Sequence, residues 1–322
     1  MKNFEHVDAT SVAGAVNLLR SNANCMPIAG GTDLLTQVKL GLVKPDLLVN
    51  LKTIPNLEHI SFDKTGLNIG ALATLDTIAN NKEVRAHYPA LIKAIEVTAS
   101  PQIRNSGTVG GNLTQSSRCW YYRGQFNCWL KQGEVCYAQE GENSHHAIFG
   151  GGPCYMVHPS DLAPVLIALE TEVITAGRGG ERRMPLAHLF QLPRQDSRQL
   201  TVLEPGEIII RLHVPMPLPA SRGTYLKAME RKVWAFGLAS VALQVVIENS
   251  EFINARVVLG AVAPKPWRLL EVESFLRNRK TSPAVIARAA ELVSEGAEPL
   301  GHNRYKIALV KGILLEAFSN IL

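Results

Sequence analysis

The tightest constraint on this chain is a pair of glycines caught between two periodicities. Residues 26–29 form a short apolar run with strand character, and Leu34, Leu35 and Val38 recur at helical spacing. Gly30-Gly31-Thr32-Asp33 has to turn the chain between them. Upstream, Thr10 or Ser11 caps a helix whose inner residues are Val12, Ala15, Val16 and Leu19; downstream, residues 46–51 read as a buried strand. This order predicts a small parallel β-α-β unit. The glycines let backbone N–H groups close on a phosphate, the helix start that follows favours negative charge, and Thr32 adds a hydroxyl. A tight turn capped by Thr32 or Asp33 explains the same residues. The string is not GxGxxG, so a classical dinucleotide-binding fold is not indicated.

A second glycine-rich stretch, SPQIRNSGTVGGNL over residues 100–113, reads as an irregular loop. Thr108, Gly110, Gly111 and Asn112 offer a second set of donors, with Arg104 and Asn105 beside them. Two such loops suggest a ligand with two phosphates and a sugar; a plain surface loop is the alternative. Strands are expected over 60–62 and 67–71, and helices over 75–79 and 84–97. HPSDLAPVLIALE (158–170) reads as a helix capped by Ser160, with Leu166 and Leu169 inward; Asp161 either caps it or accepts from a ligand hydroxyl. The turn from Gly177 to Gly180 is the expected domain boundary. Beyond it, strand patterns over 208–214, 224–229, 239–247 and 255–262 predict an antiparallel sheet, and residues 268–276, 283–295 and 303–318 predict three helices. Lys227, near Arg231 and Lys232, fits a solvated strand face.

With 322 residues the chain is long enough for two domains, and 46% hydrophobic against 19% charged residues excludes a disordered one. The net charge of +5 is spread thinly, without the basic stripe of a nucleic-acid binder. The apolar runs near 162–169 and 238–247 fall short of the ~18 residues that suggest a membrane span. Glu5, His6 and Asp8 stand where an export signal would be apolar, so a cytoplasmic location is expected, export with a signal-bearing partner aside. No nucleophile triad, HExxH or Walker motif occurs, so any chemistry belongs to a cofactor.

Four of the five cysteines fall in one segment as C-x8-C-x7-C-x17-C: Cys119, Cys128, Cys136 and Cys154. Zinc ribbons use shorter gaps, and the bacterial ferredoxin run is absent. Spacing leaves an iron–sulfur cluster, zinc and free thiols open. The same segment carries Trp120, Tyr121, Tyr122, Phe126, Trp129, Tyr137, Phe149 and Tyr155, aromatics suited to shielding a cluster or to building a small subcore. His145 and His146 are candidate ligands, although adjacent histidines on a polar stretch are more often solvated. Cys25 reads as a small core residue.

Taken together, AGGTDLL (29–35), IGALATL (69–75), SPQIRNSGTVGGNL, HPSDLAPVLIALE and GAVAPKPWR (260–268) resemble, in order and over nearly the whole chain, the FAD-binding medium subunit of the molybdenum hydroxylases, the xanthine dehydrogenase and aldehyde oxidoreductase family. The resemblance implies an α+β fold: a vanillyl-alcohol-oxidase-type (PCMH-type) FAD-binding domain over 1–178, then a C-terminal α+β domain over 179–322 with an antiparallel sheet and helices. It implies that Pro27, Ile28, Ala29, Gly30, Gly31, Thr32, Asp33 and Leu34, with Thr108, Gly110, Gly111 and Asn112, wrap the FAD diphosphate and ribityl region. Asp161 aligns with a residue that contacts FAD, and Lys227 with a lysine near the flavin. Thr98 replaces an aromatic flavin neighbour of the eukaryotic xanthine oxidases. Most members have a short, cysteine-free link after GGNL. The insert here, at about 115–157, resembles that of 4-hydroxybenzoyl-CoA reductase and some bacterial aldehyde oxidoreductases, where four cysteines hold a [4Fe-4S] cluster.

The implied function is electron transfer. The chain would exchange electrons between FAD, its own cluster and an external redox partner, beside a molybdenum-cofactor large subunit and a [2Fe-2S] small subunit. It would have no catalytic residue for the organic substrate. A stand-alone FAD oxidoreductase and a zinc-stapled scaffold without flavin are the alternatives.

Overall fold

The computed structural model describes every residue of the chain except Asn22 and Gln195. The chain opens with β1 (Glu5–Asp8), α1 (Val12–Ser21), β2 (Cys25–Ile28), α2 (Leu34–Lys39) and β3 (Leu47–Asn50). The three strands form a parallel sheet in the order β1-β3-β2. Ser11 starts α1 by accepting the Gly14 N–H at 3.1 Å, and Ala15, Val16 and Leu19 turn toward the sheet, as their spacing requires. The expected β-α-β unit is therefore present, with β1 as an edge strand that the sequence pattern did not announce.

β4 (Ile60–Asp63) and β5 (Gly66–Gly70) form the expected hairpin. They join β6 (Glu172–Gly177), β7 (Gly180–Pro185) and β8 (Ile208–Pro215) in a five-stranded antiparallel sheet of order β4-β5-β8-β6-β7. This corrects the expected boundary, because Gly177 and Gly180 pair across a hairpin turn inside that sheet. Between β5 and β6 lie α3 (Leu75–Asn80), α4 (Lys82–His87), α5 (Pro89–Glu96), α6 (Pro101–Ser106), α7 (Val109–Leu113), α8 (Trp120–Arg123) and α9 (Leu162–Ala168). The helix expected over 84–97 is broken: Tyr88 precedes Pro89 and takes φ −128°, ψ 57°, because a residue before proline avoids the helical region. The stretch over 100–113 is two short helices rather than an irregular loop. Pro101 and the Ser100 hydroxyl start α6, and the Thr108 hydroxyl starts α7.

The C-terminal unit is a four-stranded antiparallel sheet of β9 (Ser221–Ala228), β10 (Ala239–Glu248), β11 (Glu251–Gly260) and β12 (Trp267–Arg268), in the order β12-β11-β10-β9. α10 (Leu270–Leu276), α11 (Pro283–Leu292) and α12 (Tyr305–Ser319) cover one face and share its apolar core. α9, buried along its whole length, packs among the first unit's helices and also against β10 and β11. The two units therefore meet around the segment that carries Ser160 and Asp161. No helix among the described residues is long and apolar enough to cross a membrane.

Candidate functional site

The first glycine loop joins β2 to α2. Pro27 and Ile28 are held in the parallel sheet opposite Val49 and Asn50, and Ala29 packs on that sheet's core. Gly31 has φ +69°, which favours glycine. Gly30 has a different reason: a Cβ there would stand 1.9 Å from the Ser106 carbonyl oxygen. The glycine thus permits the two loops to touch, and the space its missing side chain leaves is filled by protein rather than kept for a phosphate. Among the described residues, the N–H groups of Gly30, Gly31, Thr32 and Asp33 donate to no protein acceptor, whereas Leu35 N–H closes on Gly31 O at 3.0 Å. Four successive uncommitted donors form a concavity suited to a diphosphate.

The second loop is built differently. Val109 N–H goes to Ala73 O at 2.9 Å, Gly110 N–H to Ala71 O at 2.9 Å, Gly111 N–H to the Thr108 hydroxyl at 3.2 Å, and Asn112 N–H to Thr108 O at 2.8 Å. Its backbone donors are spent within the fold, which corrects the expectation of a second set of free N–H groups. Its functional groups are side chains. The Asn112 Oδ1 accepts from the Ser160 hydroxyl at 2.5 Å, and Ser160 in turn accepts the Ala163 N–H at 3.0 Å. Ser160 is therefore the cap of α9, and Asp161 is not. His158 steadies this junction as a neutral ring: its Nε2–H donates to Leu113 O at 3.3 Å and its Nδ1 accepts from Ser160 N–H at 3.3 Å. Complete burial pushes it down to about 4.

Asp161 gathers groups from two other segments, β9 and the chain after α5. Its Oδ2 accepts from Lys227 Nζ at 2.8 Å and from the Thr98 hydroxyl at 3.2 Å, and its Oδ1 accepts from the Tyr225 hydroxyl at 2.8 Å. Lys227 also donates to Val97 O at 3.3 Å, and its side chain is 1% exposed, so the solvated-face reading fails. Burial, then the Asp161 charge, pushes the Tyr225 phenol well up. Thr98, Asp161 and Lys227, distant in sequence, form one buried network joining the two units.

The four cysteines of the insert also come together. Cys119 precedes α8, Cys128 precedes a short 3-10 turn, and Cys136 and Cys154 follow on irregular chain. Cys136 and Cys154 share a hydrogen bond, and Cys119 feels the charges of both Cys128 and Cys136. The shared proton lowers Cys136 and raises Cys154, while burial pushes Cys119 up to about 11. Trp120, Tyr121, Tyr122 and Tyr155 pack around Cys119, Cys128 and Cys136, and Trp129 and Met156 pack on Cys154. Cys25 belongs to a separate apolar cluster under the parallel sheet. Among the described residues, no group of three or more His, Cys, Asp or Glu side chains is arranged to hold a metal ion.

Sequence reasoning missed what ties the insert to the first loop. Asp33 Oδ1 accepts from Arg118 and, at 2.8 Å, from Arg123; its Oδ2 accepts from Ser116 N–H at 2.8 Å and Gln37 Nε2 at 3.0 Å. Burial raises the Asp33 carboxyl, but the two arginines and the Ser116 N–H outweigh it and hold the group below the usual carboxylate range. The Asp33 side chain thus faces the insert, leaving its N–H as what it offers a cofactor. On the other flank, Arg198 lies 4.8 Å from the Trp129 ring centre and donates to Trp129 O and, at 3.0 Å, to Gly133 O. No local pattern identifies these arginine partners, which lie 65 to 90 positions apart.

Comparison with known proteins follows this architecture. The FAD-binding domain in molybdopterin dehydrogenase matches residues 2–217, and the CO dehydrogenase flavoprotein C-terminal domain matches residues 224–321. The chain is 33% identical, over 98% of its length and 96% of the relative's, to the aldehyde oxidoreductase FAD-binding subunit PaoB of Escherichia coli (strain K12). It is 26% identical to the glyceraldehyde dehydrogenase medium chain of Sulfolobus acidocaldarius, over 99% and 98% of the two chains. Among solved structures, a reconstituted CO dehydrogenase chain from Oligotropha carboxidovorans shares the fold, with a TM-score of 0.79 and 22% identity over 99% of this chain and 97% of that one.

Proposed function

The chain belongs to the family of FAD-binding medium subunits of the molybdenum hydroxylases, and from that premise we propose that it carries two redox groups, FAD and a [4Fe-4S] cluster, and passes electrons between its partner subunits and an external redox partner. Within such a complex the organic substrate is handled on the molybdenum-cofactor subunit, and a [2Fe-2S] subunit relays electrons. Bound FAD would supply two-electron and one-electron exchange, and the cluster one-electron exchange. The residues of this chain hold and insulate the two groups. Gly30, Gly31, Thr32 and Asp33 present N–H groups to the diphosphate. Thr108, Asn112 and Ser160 fix the facing loop, and Asp161 with Lys227 sets a buried charge pair between the units. Cys119, Cys128, Cys136 and Cys154 hold the cluster, and the aromatic side chains around them keep water away.

The observation that carries the cluster assignment is the convergence of four thiols, from well-separated positions of one insert, inside an aromatic shell. The test is metal and flavin analysis of the full chain purified anaerobically. The expected result is about four irons and one FAD per chain, with broad visible absorbance beneath the flavin bands. One zinc without iron would overturn the cluster, and absence of flavin would overturn the diphosphate assignment.

A further inference from the structure

The insert contains a buried polar group that neither ligand count nor fold requires. His146 is 2% exposed, and its Nε2 stands 3.1 Å from Cys119 Sγ. The expectation of a solvated histidine holds for its neighbour His145, which pairs with Glu230 at 3.0 Å, and fails for His146. The ring lies edge-on to Trp120, with centroids 5.0 Å apart, and near Tyr121 at 5.9 Å. Its backbone is pinned: its N–H donates to Asn143 O at 2.9 Å, and Asn303, from the segment before α12, donates to its carbonyl at 3.2 Å. Its Nδ1 is buried without a hydrogen-bond partner among the described residues. An unpaired buried nitrogen is destabilising, so an apolar ring would serve packing better.

We propose that His146 is a positioning and tuning residue for the cluster, donating an Nε2–H···S hydrogen bond to the Cys119 thiolate and thereby raising the cluster's reduction potential. The inference rests on the cluster reading above. A thiolate bound to iron has no proton to give, so the hydrogen in this contact must sit on Nε2, and Nδ1 is then the bare nitrogen found unpartnered. A donor to a ligand sulfur withdraws electron density and favours the reduced, more negative cluster. His146 is not needed as a ligand, since four thiolates complete the cubane.

The test is a redox titration of the full chain with its cofactors, followed by electron paramagnetic resonance, on wild type, His146→Leu and His146→Gln. Glutamine keeps an N–H donor near the Nε2 position; leucine keeps the bulk and removes the donor. The expected result is four irons and one flavin in all three, a lower cluster midpoint in His146→Leu, and a midpoint near wild type in His146→Gln, with the flavin midpoints unchanged. Equal cluster midpoints in all three, or equal drops in both variants, would overturn the inference while leaving the cluster in place. Loss of iron in either variant would make His146 structural or a ligand and overturn it as well. A wild type without iron would overturn the cluster reading and this inference together.

Discussion

The first glycine loop and the cysteine insert are neighbours joined through Asp33, yet they are built on opposite principles. The loop offers backbone. Its donors are the N–H groups of Gly30 to Asp33, and its shape follows from a positive φ at Gly31 and from contact of Gly30 with the Ser106 carbonyl. The insert offers side chains. It has one helix of four residues and one 3-10 turn, and its shape comes from what grips it: Asp33 on one flank, Arg198 on another, and Asn303 and Lys306 from the C-terminal unit. Burial leaves Lys306 at about 7, with its amine on the carbonyls of His145 and Ala261 at 3.1 and 2.8 Å. A backbone site tolerates changes of side chain but not an added Cβ; a side-chain site depends on each functional group and on its distant anchors.

The largest expected effect tests the side-chain half. Replacing Cys119, Cys128, Cys136 or Cys154 singly by serine should abolish four-iron content and bleach the broad visible absorbance while flavin is retained, since the insert branches off after both glycine loops. Iron analysis beside flavin quantitation reads this directly. Iron retained in full by any of the four variants would remove that residue from the ligand set.

Gly30→Ala tests the backbone half. A Cβ 1.9 Å from a backbone oxygen forces the two loops apart, at about 3 kcal/mol, the upper end for overpacking. A lowered Tm and weakened FAD retention should appear together, with the iron content unchanged. A stable variant that keeps its flavin would show that the loops separate without consequence, and the contrast between the regions would be lost.

Asp33→Asn addresses the joint between them. It leaves Arg118 and Arg123 facing each other, all three side chains being partly exposed, and about 1–2 kcal/mol of stability should be lost after discounting the buried-pair value for solvent screening. The pH dependence has a definite sign. The Asp33 carboxyl is lowered in the folded state, so its contribution is present above the unfolded carboxylate value of about 3.9 and is lost as pH falls through the lower folded value. Acid unfolding of wild type should therefore include a step below about pH 4 that Asp33→Asn lacks. Identical acid profiles would show that the arginines are held by other means.

The smallest effect should come from Cys25→Ser. Cys25 lies in β2, outside the insert, so iron and flavin should be unchanged and stability should fall by about 1 kcal/mol or less. Loss of iron in this variant would break the assignment of ligands by segment.

Much of the architecture was legible in advance because it rests on short-range rules. Ser11 and Ser160 cap helices where small polar residues precede apolar periodicity, and residues 239–247 and all but the last two of 255–262 fall in paired antiparallel strands. Errors arose where a local rule had a rival. Pro89 broke a helix that apolar spacing would have continued, two capped helices replaced a loop inferred from Gly, Ser and Asn content, and a Gly-rich turn with arginines proved to be a hairpin rather than a boundary.

What the sequence by itself determined is the inventory: two glycine loops, four clustered cysteines in an aromatic insert, and Asp161 and Lys227 as residues to watch. The loops and cysteines follow from residue type and local spacing, which act over a few positions; Asp161 and Lys227 entered through the family resemblance. Only the tertiary structure decided how the inventory is spent. It used the second loop's N–H groups inside the fold and left the first loop's uncommitted. It paired Asp161 with Lys227 across 66 positions, turned Asp33 toward Arg118 and Arg123, and buried His146 against Cys119. The reason is physical: a hydrogen bond or ion pair depends on distance and desolvation between groups that the chain separates widely, and those quantities exist only once the units have packed.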